Sequence, residues 1–438
     1  MNLDAREEAR NRLLYIAYHF PPLQGSTGIA RTLAFAKYLR EYNWDVTVLT
    51  VKASAYPDIR EQNYASIPAH IEVVRTTAFD TRRHLSVFGR YPTLLAIPDR
   101  QQSWIPFGVR AALRIIRKWK PHALLSTYPV ASAHCIGYLA HRLTGCPWIA
   151  DFRDPMAQPN YPPEPAVHRA FERIEQLAFS RAARVLVTTP GAADLYAERF
   201  PHYPRQQIHT ITNGFDPQMF EGIARPGPQA AAAPPGRPLR LLHSGLLYPE
   251  ERDPTQLFAA IAQLRDEGLL DARSVNFLFR ASGNESNYRR HILDLGLEGI
   301  VELLPPIPYK EALAEMTAAD GLMILQASNC NQQIPAKLYE YLYAARPIVC
   351  FTDPRGDTGQ LLHKLGSTQV ARLDSAPDIK RVLVTFMENL RRRAAFIVPA
   401  ELVTNFSRHK LTGDLADMLD DVIAAGASAN INVGARSR

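Results

Sequence analysis

Short apolar, β-branched runs alternate with helix-patterned stretches along almost the whole chain, and this alternation constrains the fold more than any other feature. "RLLYIAYHF" ends at "PPLQGSTG"; "IARTLAFAKYLREYNW" follows with Ile29, Leu33, Phe35, Ala36 and Leu39 on one helical face; "DVTVLTV" is again a strand run. "IEVVRT", "ALLSTYP", "PWIADFRD" and "ARVLVTT" continue the series, most separated by helical stretches such as "FGVRAALRIIRKW" and "SAHCIGYLAHRLT", and "IHTITNGFD" closes it. Apolar strands without polar alternation, joined by helices, predict a parallel sheet covered on both faces. Residues 221–238, "EGIARPGPQAAAAPPGRP", have linker composition. The alternation then restarts with "LRLLHSG", "VNFLFRASG", "IVELLPP", "GLMILQAS" and "RPIVCF". The fold class is therefore α/β. We divide the chain into a domain over 1–220, a linker over 221–238, a second domain over 239–405, a terminal helix over 406–425 and a disordered tail over 426–438.

A chain of 438 residues, 46% hydrophobic and 21% charged, has material for two large cores. Fifty basic against 43 acidic side chains give a net charge of +7, which suits an anionic ligand or a membrane face but not a dedicated nucleic-acid binder. "MNLDAREEARNR" lacks the pattern of a secretory signal, and no apolar run reaches the length of a spanning helix. Cys135, Cys146, Cys330 and Cys350 are scattered without metal-ligand spacing, so reduced thiols, a cytoplasmic setting and no metal site are expected.

Ligands of open parallel sheets bind beyond the carboxyl ends of strands, and the chemistry-bearing residues here fall in such loops. Gly25 and Gly28 in "PPLQGSTGIAR" admit either close backbone approach to a ligand at a helix start or merely a tight turn. The loop is not the G-x-G-x-x-G fingerprint of dinucleotide sites. In "IADFRDPM", Asp151, Arg153 and Asp154 end a strand, as a structural ion pair or as carboxylates that orient an acceptor hydroxyl. Gly245 ends the strand of "LLHSGLLYPEERDP", with Arg252 seven residues on. In "QQIPAKLYE", Pro335 suits a first helical turn, and Lys337 and Glu340 share one face. They form either a surface ion pair or, with Arg252 and the helix's free N–H groups, a site where a pyrophosphate meets the cations and Glu340 takes sugar hydroxyls.

The amphipathic "VRAALRIIRKWK" carries Arg110, Arg114, Arg117, Lys118 and Lys120. Together with Trp119, Arg82, Arg83 and Arg90 it reads either as a solvated face or as a surface for an anionic membrane at the inner face of the cell; Arg391, Arg392 and Arg393 pose the same choice.

The segments "YHFPPLQGSTGIAR", "LREYNWDVTVLT", "DFRDP", "ITNGFD", "LLHSGLLY" and "PAKLYEYLYAARPIV", in this order, resemble a family-4 glycosyltransferase of the GT-B type. The resemblance implies two Rossmann-like domains facing across a cleft, with the terminal helix crossing back onto the first. It also implies retaining, metal-independent transfer of a sugar from a nucleoside-diphosphate sugar (UDP- or GDP-linked), with no bound cofactor, to a glycan or lipid-linked saccharide in surface polysaccharide or glycoconjugate synthesis. On that pattern Glu340 holds the donor ribose, Arg252 and Lys337 neutralise the pyrophosphate, and Gly25, Gly28 and Gly245 admit donor and acceptor. Asp151 and Asp154 stand where many relatives place an acceptor-side motif. The sequence departs from the pattern at Gln332, where the first glutamate of the family's paired signature is expected; Gln332 or Gln333 can still hydrogen-bond sugar hydroxyls without charge. Leu246 replaces an arginine many relatives carry. A nucleotide-sugar epimerase of the same architecture and a degenerate nucleotide-sugar binder are the alternatives.

Overall fold

The structure, a computed structural model, describes residues 10–25, 27–159, 161–225 and 236–436. The chain forms two units: one runs to Thr212 and takes up the chain again from Arg408, and the other is Asn213–Ser407.

The first unit contains β1 (Asn11–Ala17), α1 (Thr27–Tyr38), β2 (Trp44–Val51), β3 (Glu72–Thr76), α2 (Thr81–His84), α3 (Trp104–Trp119), β4 (Ala123–Thr127), α4 (Ser132–Thr144), β5 (Trp148–Arg153), α5 (Pro165–Arg181), β6 (Arg184–Val187), α6 (Pro190–Arg199) and β7 (Ile208–Thr210). The second contains β8 (Leu239–Ser244), α7 (Thr255–Asp266), β9 (Val275–Arg280), α8 (Glu285–Asp294), β10 (Val301–Leu304), α9 (Tyr309–Ala318), β11 (Gly321–Leu325), α10 (Ala336–Ala344), β12 (Ile348–Phe351), α11 (Asp357–Lys364), β13 (Val370–Ala371), α12 (Ala376–Arg391) and α13 (Ala400–Val403). The last helix, α14 (Arg408–Arg436), belongs to the first unit.

Both sheets are parallel throughout, ordered β3-β2-β1-β4-β5-β6-β7 and β10-β9-β8-β11-β12-β13. Strand order therefore reverses between β1 and β4 in one sheet and between β8 and β11 in the other, the switch points at which open α/β sheets bind ligands.

β1 shows why its run is apolar without alternation. Leu14 and Ile16 face the core that holds Trp104, Ile136 and Trp148, while Leu13 and Tyr15 face the core that holds Phe35, Trp44 and Leu415. In the second unit Leu239 and Leu241 pack with Phe258 and Phe386, and Leu242 packs with Leu338 and Leu342 on the opposite side.

The terminal helix earns its place on the first unit through Leu411, Leu415, Met418, Leu419 and Val422, a helical stripe in the core of Phe35, Leu39 and Trp44. Trp44 Nε1 donates to Asp420 Oδ1 at 3.0 Å, and a Cβ at Gly413 would meet the Tyr42 ring at 2.9 Å. This is the return of the terminal helix to the first domain that the resemblance implied.

The boundaries differ from those read in sequence. Residues 213–220 join the second unit because Phe215 and Phe220 pack with Leu338 and Leu342, and Phe215 N donates to the Phe406 carbonyl. The stretch 226–235 of the expected linker lies outside the described residues. Helix α14 takes in most of the expected tail, 426–438. All four cysteines are free thiols.

Candidate active site

In the second unit the switch point is flanked by the turn after β8 and by the start of α10. Gly245 leaves β8 with φ +124°, and a Cβ there would overlap Lys337 Nζ. Glycine is thus required twice: for the backbone conformation, and for the space the lysine occupies. Lys337 Nζ donates to the Ser244 carbonyl at 2.5 Å and stands 3.5 Å from His243 Nε2. His243 Nδ1 lies 3.0 Å from the Met323 carbonyl, which can only accept, so Nδ1 carries the proton and Nε2 turns a lone pair to the lysine. Burial, then the Lys337 charge, holds His243 neutral, well below the usual histidine range. Tyr341, fully buried, accepts from Ser244 N at 2.8 Å and fixes the end of β8 from α10.

Burial pulls the Lys337 ammonium down to about 7; the Arg252 charge adds to the shift, and Glu340 opposes it. Arg252 reaches the same turn, donating to the Leu246 carbonyl at 3.1 Å with its guanidinium 5.2 Å from the centre of the Tyr248 ring. Two cations therefore crowd one glycine turn beside a helix N-terminus, an arrangement that an incoming dianion would relieve. Lys337 and Glu340 form no ion pair with each other among the described residues; each has its own hydrogen-bond partner. Glu340 Oε1 accepts from the Tyr309 hydroxyl at 2.6 Å. The surface ion pair that sequence spacing allows is absent, and a carboxylate one turn along α10 remains for polar ligands.

Gln332 and Gln333 precede α10, both half-buried. The Gln333 carbonyl accepts from Gln326 Nε2 at 2.8 Å and Thr358 Oγ1 at 3.1 Å, so its backbone is tied into the fold.

The first unit gathers a second set at the ends of β4 and β5. Asp151 is fully buried: Oδ2 accepts from Thr127 Oγ1 at 2.8 Å, and Oδ1 lies 3.5 Å from Arg31 Nη2. Arg153 adopts φ +62° where the register with β6 shifts, and donates to Thr127 Oγ1, Thr32 Oγ1 and the Gly28 carbonyl. A carboxylate with no exposed surface, held by two cations and a hydroxyl, presents no oxygen to a ligand, and the catalytic role expected for Asp151 gives way to an anchoring one. Asp154 is half-buried; Thr188 Oγ1 donates to it at 3.2 Å, and burial pushes its carboxyl above the usual range against the pull of Thr188 and Arg153. His19, after β1, is drawn down to about 4 by burial and then by Arg153, and is neutral.

Gly28 is buried and contributes its carbonyl to Arg153 and Thr32. Gly25 is exposed with φ +80° and nothing near its missing Cβ. The loop's conformation requires glycine at 25; nothing crowds it there.

Sequence reading missed Tyr309, His243, Tyr341 and Arg31. His243 stood in the apolar run "LLHSG" and Tyr309 after "PPIP", with no local pattern tying either to α10. Of the expected membrane-facing residues, Arg110, Arg114, Arg117, Lys118 and Lys120 are all exposed. No helix among the described residues is long and apolar enough to cross a membrane, and no group of side chains among them could hold a metal ion.

Residues 27–214 match the glycosyl transferase 4-like domain family. The sequence matches no curated protein. Among solved structures, the fold is similar to sucrose-phosphate synthase from Thermosynechococcus elongatus, with TM-score 0.68, 14% identity, and 95% of this chain and 100% of that one covered. It is also similar to HepE of Anabaena in complex with UDP, with TM-score 0.65, 16% identity, and 94% and 100% covered. A UDP-N-acetylglucosamine 2-epimerase structure from Listeria monocytogenes shares the fold at TM-score 0.56 and 11% identity, with 93% and 95% covered.

Proposed function

We propose that this chain, a glycosyltransferase of the GT-B fold whose residues 27–214 form a glycosyl transferase 4-like domain, takes a nucleoside-diphosphate sugar as donor and transfers its sugar with retention to a glycan or lipid-linked hydroxyl. The observation that carries the reading is the cation pair at the Gly245 turn, Lys337 and Arg252, with Glu340 one helical turn beyond Lys337 on α10. HepE was solved with UDP, which supports the same ligand class and favours UDP over GDP for the first trial.

In this reading the pyrophosphate displaces the crowding of Lys337 and Arg252 and receives the N–H groups that open α10. Glu340 accepts from the ribose hydroxyls, with Tyr309 holding its other oxygen. As the bond from the sugar's anomeric carbon to the phosphate oxygen breaks, charge grows on the leaving diphosphate, where the cations and the helix start stabilise it without a metal. The acceptor oxygen bonds to the anomeric carbon, and its proton passes to the departing phosphate oxygen, so no strong protein base is needed. Asp154 orients the acceptor hydroxyl, with Asp151 fixing Arg31 and Arg153 behind it. Gln332 and Gln333 bear on the sugar itself. Such a role fits polysaccharide or glycoconjugate synthesis.

An epimerase shares the fold, so the alternative is set by product. Incubation with UDP-hexoses, alone and with lipid-linked or soluble saccharides, followed by NMR of the anomeric protons, separates the two. A new glycoside with retained configuration supports the transferase, and a free epimer formed without acceptor contradicts it.

A further inference from the structure

The first unit carries a surface that the transfer chemistry does not use. Between Asp99 and Asp151 lie 51 residues with no acidic side chain and seven Arg or Lys, a stretch that includes the whole of α3 and α4. Phe107, Arg110, Arg114, Arg117 and Lys118 fall on one side of α3 by helical spacing, and all are exposed. Arg142 and Leu143 are exposed at the end of α4, which packs on α3.

Beside the start of α3 the chain makes a protruding turn. Val87 and Arg90 exchange backbone hydrogen bonds, and Phe88 and Gly89 between them have φ +51° and +74°. Positive φ at both central residues marks a tight hairpin turn, which elsewhere favours Asn-Gly rather than an aromatic residue. Phe88 at its tip is 101% exposed, and Val87 (68%) and, six residues on, Leu94 (75%) are exposed as well. The segment is held to the residues just ahead of α3: the Phe79 backbone and Ser103 Oγ exchange hydrogen bonds, and Gln102 Nε2 donates to the Leu94 carbonyl at 2.6 Å. The two carboxylates nearest in sequence are engaged inward, Asp80 by Arg83 N and Gln101, and Asp99 by Ser132.

We infer that this face seats on an anionic lipid bilayer, with the Val87–Phe88 tip and Leu94 entering the acyl boundary and the α3 cations meeting the phosphates. A phenylalanine held fully in water on a strained tip, in the same unit as exposed cations on a stretch of sequence without an acidic side chain, gives the two signals that reversible membrane attachment needs. The inference stands on the first unit alone and does not depend on the donor reading.

Co-sedimentation tests it with vesicles of phosphatidylcholine alone and of phosphatidylcholine mixed with phosphatidylglycerol. The full chain is expected to bind the anionic vesicles and to leave the neutral ones largely unbound. Phe88→Ser combined with Leu94→Ser should bind roughly tenfold or more weakly. Arg110→Glu with Arg114→Glu should abolish the difference between the two vesicle types. All four positions are exposed, so unchanged melting temperatures check the fold. Absence of binding to either vesicle overturns the inference, as does equal binding by Phe88→Ser/Leu94→Ser. A dimer in light scattering that only this double variant dissolves would assign the face to a second copy and overturn it too.

Discussion

The Tyr309 hydroxyl donates to Glu340 Oε1 across 2.6 Å, joining the first residue of α9 to a carboxylate on α10 that lies 31 positions away in sequence. The bond leaves the remaining lone pairs of Glu340 for a ligand and holds its rotamer. Tyr309→Phe should weaken nucleotide binding by about 1 kcal/mol, roughly fivefold, without moving the melting temperature of the free protein. Isothermal titration with the best-binding nucleotide checks the affinity, and thermal melting of the two free proteins checks the stability.

Lys337 gives the site a pH dependence. Its ammonium is held at about 7, so at pH 8 most of the free protein carries a neutral Lys337. A bound diphosphate restores the charged form by adding a negative neighbour. Nucleotide binding at pH 8 should therefore take up a proton, and binding at pH 6 almost none. Calorimetry in buffers of different ionisation enthalpy reads the uptake directly, and Lys337→Met should lose it. The sign for stability follows: the unfolded lysine keeps its proton up to about 10.5, so the buried ammonium penalises folding in full below pH 7, and that penalty is relieved as pH rises from 7 toward 10.5.

Two glycines separate a binding effect from a packing effect. Gly245→Ala places a Cβ against Lys337 Nζ at φ +124° and should cost about 1–3 kcal/mol of stability, with loss of nucleotide binding. Gly413→Ala pushes a Cβ into the Tyr42 ring and should destabilise by about 1 kcal/mol while nucleotide affinity stays at the wild-type value. Melting curves with and without nucleotide distinguish the two.

Asp151 and Asp154 should part company. Asp151→Asn leaves Arg31 and Arg153 buried without their counter-charge and should destabilise by about 3 kcal/mol. Asp154→Asn keeps a hydrogen-bonding group beside Thr188, should change stability by less than about 1 kcal/mol, and should slow transfer roughly tenfold, about 1.4 kcal/mol. Denaturant unfolding and initial rates on the two variants supply the comparison.

The fold was legible because strands buried on both faces, such as β1, β4, β11 and β12, write themselves as apolar runs, and the less buried β3, β7 and β10 still fall in short segments readable between helices. The two-residue β13, Val370–Ala371, was not, since its place depends on pairing with Cys350 and Phe351. In the site, Gly245, Arg252, Lys337 and Glu340 were readable, because strand ends and helix starts announce themselves locally. What local pattern could not carry is which partner each residue takes. "DFRD" presents two carboxylates three apart, and only Thr127 and Arg31, from other elements, decide that Asp151 is sealed and Asp154 is not. Tyr309 needed the sheet to bring α9 beside α10.

The most direct test of the donor site is a thermal-shift titration of wild type and Glu340→Ala with UDP, GDP and ADP. The account predicts that one nucleotide, UDP first, stabilises the wild type, and that Glu340→Ala binds it at least roughly tenfold more weakly while folding normally. Stabilisation by none of the three at millimolar concentration, or equal binding by Glu340→Ala, would contradict it and leave Lys337 and Glu340 as structural parts of α10.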